Sequence, residues 1–221
     1  MTETVHVDIV SDVVCPWCFV GKKRFEKALG EIGEDITVEV NWRPFQLDPT
    51  LPPEGKDRKK YLADKFGSME RSRELHQNLE NIGASVGIPF EFEAIAVSPN
   101  TLDAHRLIRW AQSAGEGVQG RVVAALFETY FLKGKNIGDH AVLIEVAREA
   151  GMDAAVVESL LASDADREAI TQEIALAQQM GVTGVPCFIL ENKYAVMGAQ
   201  EPATIADAIR QVAAEKAAAT V

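Results

Sequence analysis

SDVVCPWCFVGKK, residues 11–23, sets Cys15 and Cys18 three positions apart, between an apolar run and a helix-like run. Upstream, Val5, Val7 and Ile9 alternate with His6 and Asp8, the period-2 pattern of a half-buried strand. Downstream, the spacing predicts a helix over 16–32. Pro16 suits its first turn, because the N–H that proline lacks would have had no intrahelical partner there. Cys18, Gly21, Phe25, Ala28 and Ile32 recur at spacings of three and four, one small-to-apolar stripe facing a core. Ile36, Val38, Val40 and Trp42 then alternate with Thr37, Glu39 and Asn41 as a second strand. Strand, helix and strand form a βαβ unit, whose strands should be parallel with a right-handed crossover.

After Arg43-Pro44-Phe45 the texture changes. The proline-rich stretch 48–55 is a link, and most of 56–180 reads helical, in segments near 57–66, 68–84, 100–114, 117–133, 139–150, 153–162 and 164–180. IPFEFEAI (88–95) reads as extended instead. At Gly181 the pattern switches back: GVTGVP is a turn, 187–190 and 194–197 are short strands, and 201–218 is an Ala-rich closing helix. The expected architecture is therefore α/β, a βαβ half and a ββα half with a large all-helical insertion. Residues 1–55 and 181–221 would form the discontinuous α/β domain and 56–180 the inserted one, since neither flanking half can bury a sheet alone.

The totals exclude some function classes. The 221 residues are 47% hydrophobic and 25% charged, ordinary for a globular chain, with a net charge of −11. That balance argues against a nucleic-acid or anionic-membrane surface, which needs positive charge. No run approaches the ~18 apolar residues of a membrane span, and no leader pattern precedes the first strand. A cytoplasmic protein is expected. With three cysteines in the chain, a secreted disulfide scaffold is not indicated.

Three readings of the cysteine pair are open. Both could be packing residues, and Cys18 fits that description on the apolar stripe. Cys15 does not, for it falls at the N-cap, where free N–H groups and the positive end of the helix dipole stabilise a thiolate. One exposed sulfur and one sheltered sulfur a turn apart suit a nucleophile and a resolving thiol. Zinc needs two more ligands; there is no second CxxC and the four histidines show no paired spacing, although Cys187 and one histidine could complete a set. No metal is expected. Pro16 and Trp17 carry no charge, so only the helix terminus and the wider field act on the thiolate. Lys22 and Lys23 should face solvent, and Trp17 and Phe19 should line the rim of a cleft.

DIVSDVVCPWCFVGKKRFEKAL, WRPFQLDP, PNTLDAHRLIRWA and MGVTGVPCFILENKYAVMGAQ together resemble the DsbA-like branch of the thioredoxin superfamily over nearly the whole chain. Its FrnE-like members look most similar; they are related to 2-hydroxychromene-2-carboxylate isomerases and kappa-class glutathione transferases. The resemblance implies a thioredoxin fold and a dithiol–disulfide oxidoreductase. Cys15 would be the nucleophile, Cys18 the resolving cysteine and Pro186 a cis-proline beside them. The backbone of Val185 would pair with an extended substrate. Asn100, Thr101 and His105 would lie at the cleft edge, or serve only as a helix cap and a polar face; Arg43 could simply end a strand.

The implied partners are a protein thiol or disulfide, or glutathione as co-substrate, on a monomer or homodimer with no cofactor beyond the redox-active pair. A glutathione-dependent isomerase or transferase is the rival, although those relatives carry serine at the position of Cys15. A non-enzymatic partner-binding module is the third class. Cys187 departs from the often aromatic residue after the proline. Strand alternation turns it away from the face of Pro186, towards a buried inert site, whereas an irregular strand start would make it a third redox thiol.

Overall fold

In the computed structural model, which describes residues 2–219, the chain opens with β1 (Glu3–Ser11), α1 (Pro16–Leu29) and β2 (Ile36–Pro44). β1 and β2 run parallel, with Val5 opposite Val38 and Val7 opposite Val40. α1 begins at Pro16 as expected but ends at Leu29, where Gly30 takes the C-cap. Ile32 thus reaches the core from just beyond the helix.

The inserted block begins with β3 (Lys56–Asp57), α2 (Arg58–Phe66) and α3 (Met69–Ser85), and β3 pairs antiparallel with β4 (Val97–Ser98). The extended reading of 88–95 is corrected by a short 3-10 turn at Phe92–Ala94. Phe90 and Phe92 both turn inward there, stacking at 4.8 Å and meeting the edge of Phe131. That aromatic cluster outweighs the alternating pattern. α4 (Leu102–Gln112), α5 (Val118–Phe131), α6 (His140–Glu149), α7 (Ala154–Leu161) and α8 (Arg167–Gln179) follow. Local chemistry starts several of these helices. Asp57, Ser68, Asp139 and Asp153 accept first-turn N–H groups of α2, α3, α6 and α7, each cap contributing ~1 kcal/mol.

β5 (Cys187–Leu190), β6 (Tyr194–Met197) and α9 (Pro202–Ala219) close the fold. The sheet order is β2-β1-β5-β6, with β5 antiparallel to β1 and β6 antiparallel to β5. This is a thioredoxin fold with a helical insertion between β2 and β5. α1 and α9 pack together on one face, where Phe25 of α1 stacks on Phe188 at 5.4 Å. Ala177 of α8 meets the other face, among Val10, Phe45 and Cys187.

The two halves share one core. Phe19 of α1 lies flat on Phe127 of α5, with centroids 5.0 Å apart and planes 2° apart, and also meets Phe90 and Phe131. Such ring pairs add ~0.5–1.5 kcal/mol each beyond area burial. Phe19 is therefore a core anchor, buried to 2% exposure, and not the rim residue expected. Arg106 is fully buried in α4, and it ties α4 to the α7–α8 connection. It donates to the carbonyls of Leu160, Ser163 and Ala165 and to Asp103 at 2.6–2.8 Å.

Candidate active site

The turn before α1 places the first sulfur. The Cys15 N–H donates to the Asp12 carbonyl at 2.9 Å, and the Cys15 carbonyl accepts from Cys18 N at 3.0 Å. Cys15 is the N-cap residue in extended backbone, and its side chain makes no cap hydrogen bond. Its sulfur remains available and points its thiol at the Val185 carbonyl oxygen, 3.8 Å away. Cys18 lies one turn further, on the stripe that faces the core.

All three cysteines are free thiols. Burial, followed by donation to Cys15 and the charge there, pushes the Cys18 thiol well above its ordinary value; the Ser11 hydroxyl and the Asp12 backbone oppose this more weakly. Cys18 thus holds its proton in the reduced pair. Cys15 is less exposed than a tip residue was expected to be, at 5%. Trp17, beside it, is 39% exposed and walls the approach.

The Val185–Pro186 peptide bond is cis. Pro186 seats directly on α1, and Gly21 makes that approach possible. A Cβ at position 21 would stand 2.7 Å from Pro186 Cγ and 3.5 Å from the Phe188 ring. Glycine in a helix interior costs ~1 kcal/mol relative to alanine, so its place in α1 follows from this contact.

A cavity of about 450 Å3 opens beside Cys15. Cys15, Pro16, Trp17 and Val185 give one wall; Leu62 of α2, and Leu75 and Leu79 of α3, give the facing one. Asp12 and Thr101 also line it. Asp12 is buried to 1% exposure: Oδ2 accepts from Leu47 N at 2.8 Å, and Oδ1 lies 3.4 Å from His105 Nε2.

His105 and Asn100 do not themselves line this cavity among the described residues. His105 is buried behind Asp12, while Asn100 binds Gln46, the Leu51 carbonyl and Leu102 N at 2.7–3.0 Å, tying the 44–51 loop to α4. Arg43 braces the sheet by bonding Asp8 at 3.1 Å and Glu173 at 2.9 Å. Lys22 corrects another expectation. It is buried at 6% exposure and paired with Glu26, so its stem covers apolar surface while its charge is met locally.

Cys187 is 1% exposed and packs with Val10, Phe45 and Val182 on the sheet face opposite α1. Phe188, the next residue, turns to α1, as strand alternation requires. Burial raises the Cys187 thiol above its ordinary value. No group of three or more His, Cys, Asp or Glu side chains is placed to hold a metal ion among the described residues. No helix there is long and apolar enough to cross a membrane.

Against known proteins, residues 6–210 match the DSBA-like thioredoxin domain. The chain belongs to the DsbA-like thioredoxin-domain family. The probable DsbA oxidoreductase SCO1869 from Streptomyces coelicolor superposes with a TM-score of 0.85 at 34% identity, covering 94% of this chain and 89% of that one. The uncharacterized protein YwbO of Bacillus subtilis is 30% identical over 85% of this chain and 87% of its own. A 2-hydroxychromene-2-carboxylate isomerase shares the fold, with a TM-score of 0.66 at 17% identity over 96% of this chain and 98% of that one.

Two features of this DsbA-like site escaped the sequence. Arg58, on the cavity wall, stood in a helical stretch without any signal. Gly21 carried one, a glycine inside a strong helix pattern, whose cause became visible only with Pro186 beside it.

Proposed function

We propose that this DsbA-like protein is a dithiol–disulfide oxidoreductase, with Cys15 as nucleophile and Cys18 as resolving thiol. The observation that carries the reading is the division of labour between the sulfurs. Cys15 caps α1 at a cavity wall with no cap hydrogen bond from its side chain, only a long one to the Val185 carbonyl, while buried Cys18 donates to it and keeps its proton.

A Cys15 thiolate attacks one sulfur of a substrate disulfide, forming a mixed disulfide and releasing one thiolate. Cys18 then loses its proton and attacks Cys15 Sγ, which expels the second thiolate and leaves the Cys15–Cys18 disulfide. Run backwards, the same two steps oxidise a substrate dithiol. Pro16 and Trp17 shape the approach. The Val185 carbonyl, within reach of Cys15, would pair with an extended substrate segment beside Pro186, with protein thiols or glutathione as the exchange partner. Asn100 and His105 support this wall from behind, by holding the 44–51 loop and by facing Asp12. Cysteine at position 15, where the isomerase-type relatives carry serine, favours exchange over isomerisation.

Cys15→Ser is the test. Exchange with a model disulfide should fall at least ~100-fold, to the uncatalysed level, because a serine hydroxyl cannot form the mixed disulfide. Full activity in this variant would sink the proposal, and a glutathione-dependent turnover surviving it would favour the isomerase or transferase class. A redox titration of the pair against glutathione then sets the direction in which it works.

A further inference from the structure

The cavity beside Cys15 holds a buried cation without an anion. Arg58 is 8% exposed, on the cavity wall, and pairs with no carboxylate among the described residues. Its Nη1 donates to the Tyr130 hydroxyl at 2.8 Å, and its Nε has no hydrogen-bond partner. Tyr130 supplies no charge, because burial pushes its phenol up to about 12.

The second cation on this wall, Lys65, is exposed and donates to the Tyr61 hydroxyl at 2.9 Å, and the two carboxylates are met. Asp12 faces Leu47 N and His105, and half-buried Asp48 is held by both the N–H and the hydroxyl of Thr50 and lies in the field of Lys65. His76, stacked on Phe92, is held down to about 4 by burial and then by the charge of Arg58, and is neutral at pH 7. Arg58 also lies over the Tyr130 ring at 5.6 Å, but a buried guanidinium without an anion is costly, and the cost is recovered when a ligand brings one. Most of the remaining wall is leucine, valine, proline and aromatic side chain, with Ser98 and Thr101 the hydroxyl exceptions beside Tyr61 and Tyr130, which suits an apolar body in a volume of small-molecule size.

Resting on the oxidoreductase reading, we propose that the cavity is a subsite for small disulfides and mixed disulfides whose apolar body carries a carboxylate. Arg58 takes the carboxylate and Cys15 the sulfur. The Cys15 thiolate forms a bond to the near substrate sulfur and the substrate S–S bond breaks, releasing one carboxylate-bearing thiolate. Cys18, after giving its proton to solvent, bonds to Cys15 Sγ and displaces the second. Two electrons pass from the protein dithiol to the substrate disulfide, which is reduced to two thiols.

The test uses reduced full-length protein and two probes, 4,4′-dithiodibenzoic acid and its uncharged bis-carboxamide. Each oxidation rate is divided by that of the same probe with N-acetylcysteine, which removes intrinsic reactivity. The acid should be favoured by about 10- to 100-fold, the range for a charge-assisted hydrogen bond. Arg58→Gln should slow the acid about 10- to 100-fold more than the carboxamide, and Arg58→Lys should keep part of the preference. Absence of a preference in the unaltered protein overturns the subsite, and that measurement stands even if Arg58→Gln fails to fold. A parallel loss of both rates in a folded Arg58→Gln also overturns it, by making Arg58 structural. Oxidised glutathione, whose carboxylates sit on a polar peptide, should depend on Arg58 less than the acid does; a greater dependence overturns the apolar-body requirement. If neither aryl probe oxidises Cys15 at all, the oxidoreductase reading itself fails.

Discussion

Gly21→Ala tests whether the seat of Pro186 on α1 is what sets the site. The added Cβ would lie 2.7 Å from Pro186 Cγ, so one side must retreat by about 1 Å to reach an ordinary carbon–carbon separation of ~3.5–4.0 Å. α1 has little room to yield, since Cys18, Phe25 and Ala28 of the same face are buried in the core. Phe188 stands behind the proline at 3.5 Å from the new atom. Overpacking of this kind costs ~1–3 kcal/mol, against ~1 kcal/mol gained by replacing a helical glycine with alanine. The net is a loss of ~0–2 kcal/mol.

Gly120→Ala in α5 supplies the control, because a Cβ there meets nothing within 4 Å. It should stabilise by up to ~1 kcal/mol. The difference between the two variants, read from urea midpoints at constant m-value, isolates a packing cost of ~1–3 kcal/mol. Retreat of the loop also moves the Val185 carbonyl from its 3.8 Å approach to Cys15, so disulfide exchange should slow in Gly21→Ala and hold in Gly120→Ala. Equal stabilisation by both, with exchange unchanged, would refute the reasoning.

Four further outcomes follow from the same geometry. Cys18→Ser should trap the mixed disulfide with a substrate thiol, visible as an added mass under non-reducing mass spectrometry; rapid release without Cys18 would remove its resolving role. Arg106→Met strips three carbonyls and Asp103 of their buried donor and should cost ~3–5 kcal/mol in chemical denaturation, so a loss below ~1 kcal/mol contradicts the bracing assigned to it. Alkylation of native reduced protein should modify Cys15 first and leave Cys187 to global unfolding, and equal labelling rates at all three thiols would show that the α8-side sheet face opens. His76 has a folded value of about 4 against 6.5 unfolded, set by burial and Arg58 with Glu93 opposing. The unfolded chain binds the proton more readily, so the stability linked to this ring is intact above pH 6.5 and lost as pH falls towards 4; His76→Gln should flatten that limb in urea midpoints taken from pH 7 to 4.

Much of this fold was legible because its signals are local. The alternation in β1 and β2 and the proline at the start of α1 are each decided within a few residues, and the helices of the insertion fall within a few residues of their predicted ends. The cysteine pair was legible for the same reason, being one helical turn read against its own N-cap. What escaped depends on partners distant in sequence. Phe19 lies against Phe127 and Pro186 against Gly21 across gaps no periodicity can span. The two-residue β3–β4 ladder is too short to carry an alternating pattern. Lys22 was missed differently, because composition assigns lysine to solvent while its stem can lie on an apolar surface and pair with a residue one turn on.

The placement of the two sulfurs and the shape of the cavity are consequences of one packing arrangement. Phe19 follows Cys18 directly, and its stack on Phe127 fixes the rotation of α1 about its axis. That rotation buries Cys18 and leaves Cys15 at the helix start, facing the Val185 carbonyl. α5 carries Tyr130 one turn beyond Phe127, and Tyr130 in turn holds Arg58 of α2. A single helix of the insertion thus orients the dithiol from one turn and positions the cavity's cation from the next. A thioredoxin half alone would present the same cysteines without a wall opposite them. The insertion therefore decides what reaches Cys15, while the βαβ unit decides what Cys15 does once reached.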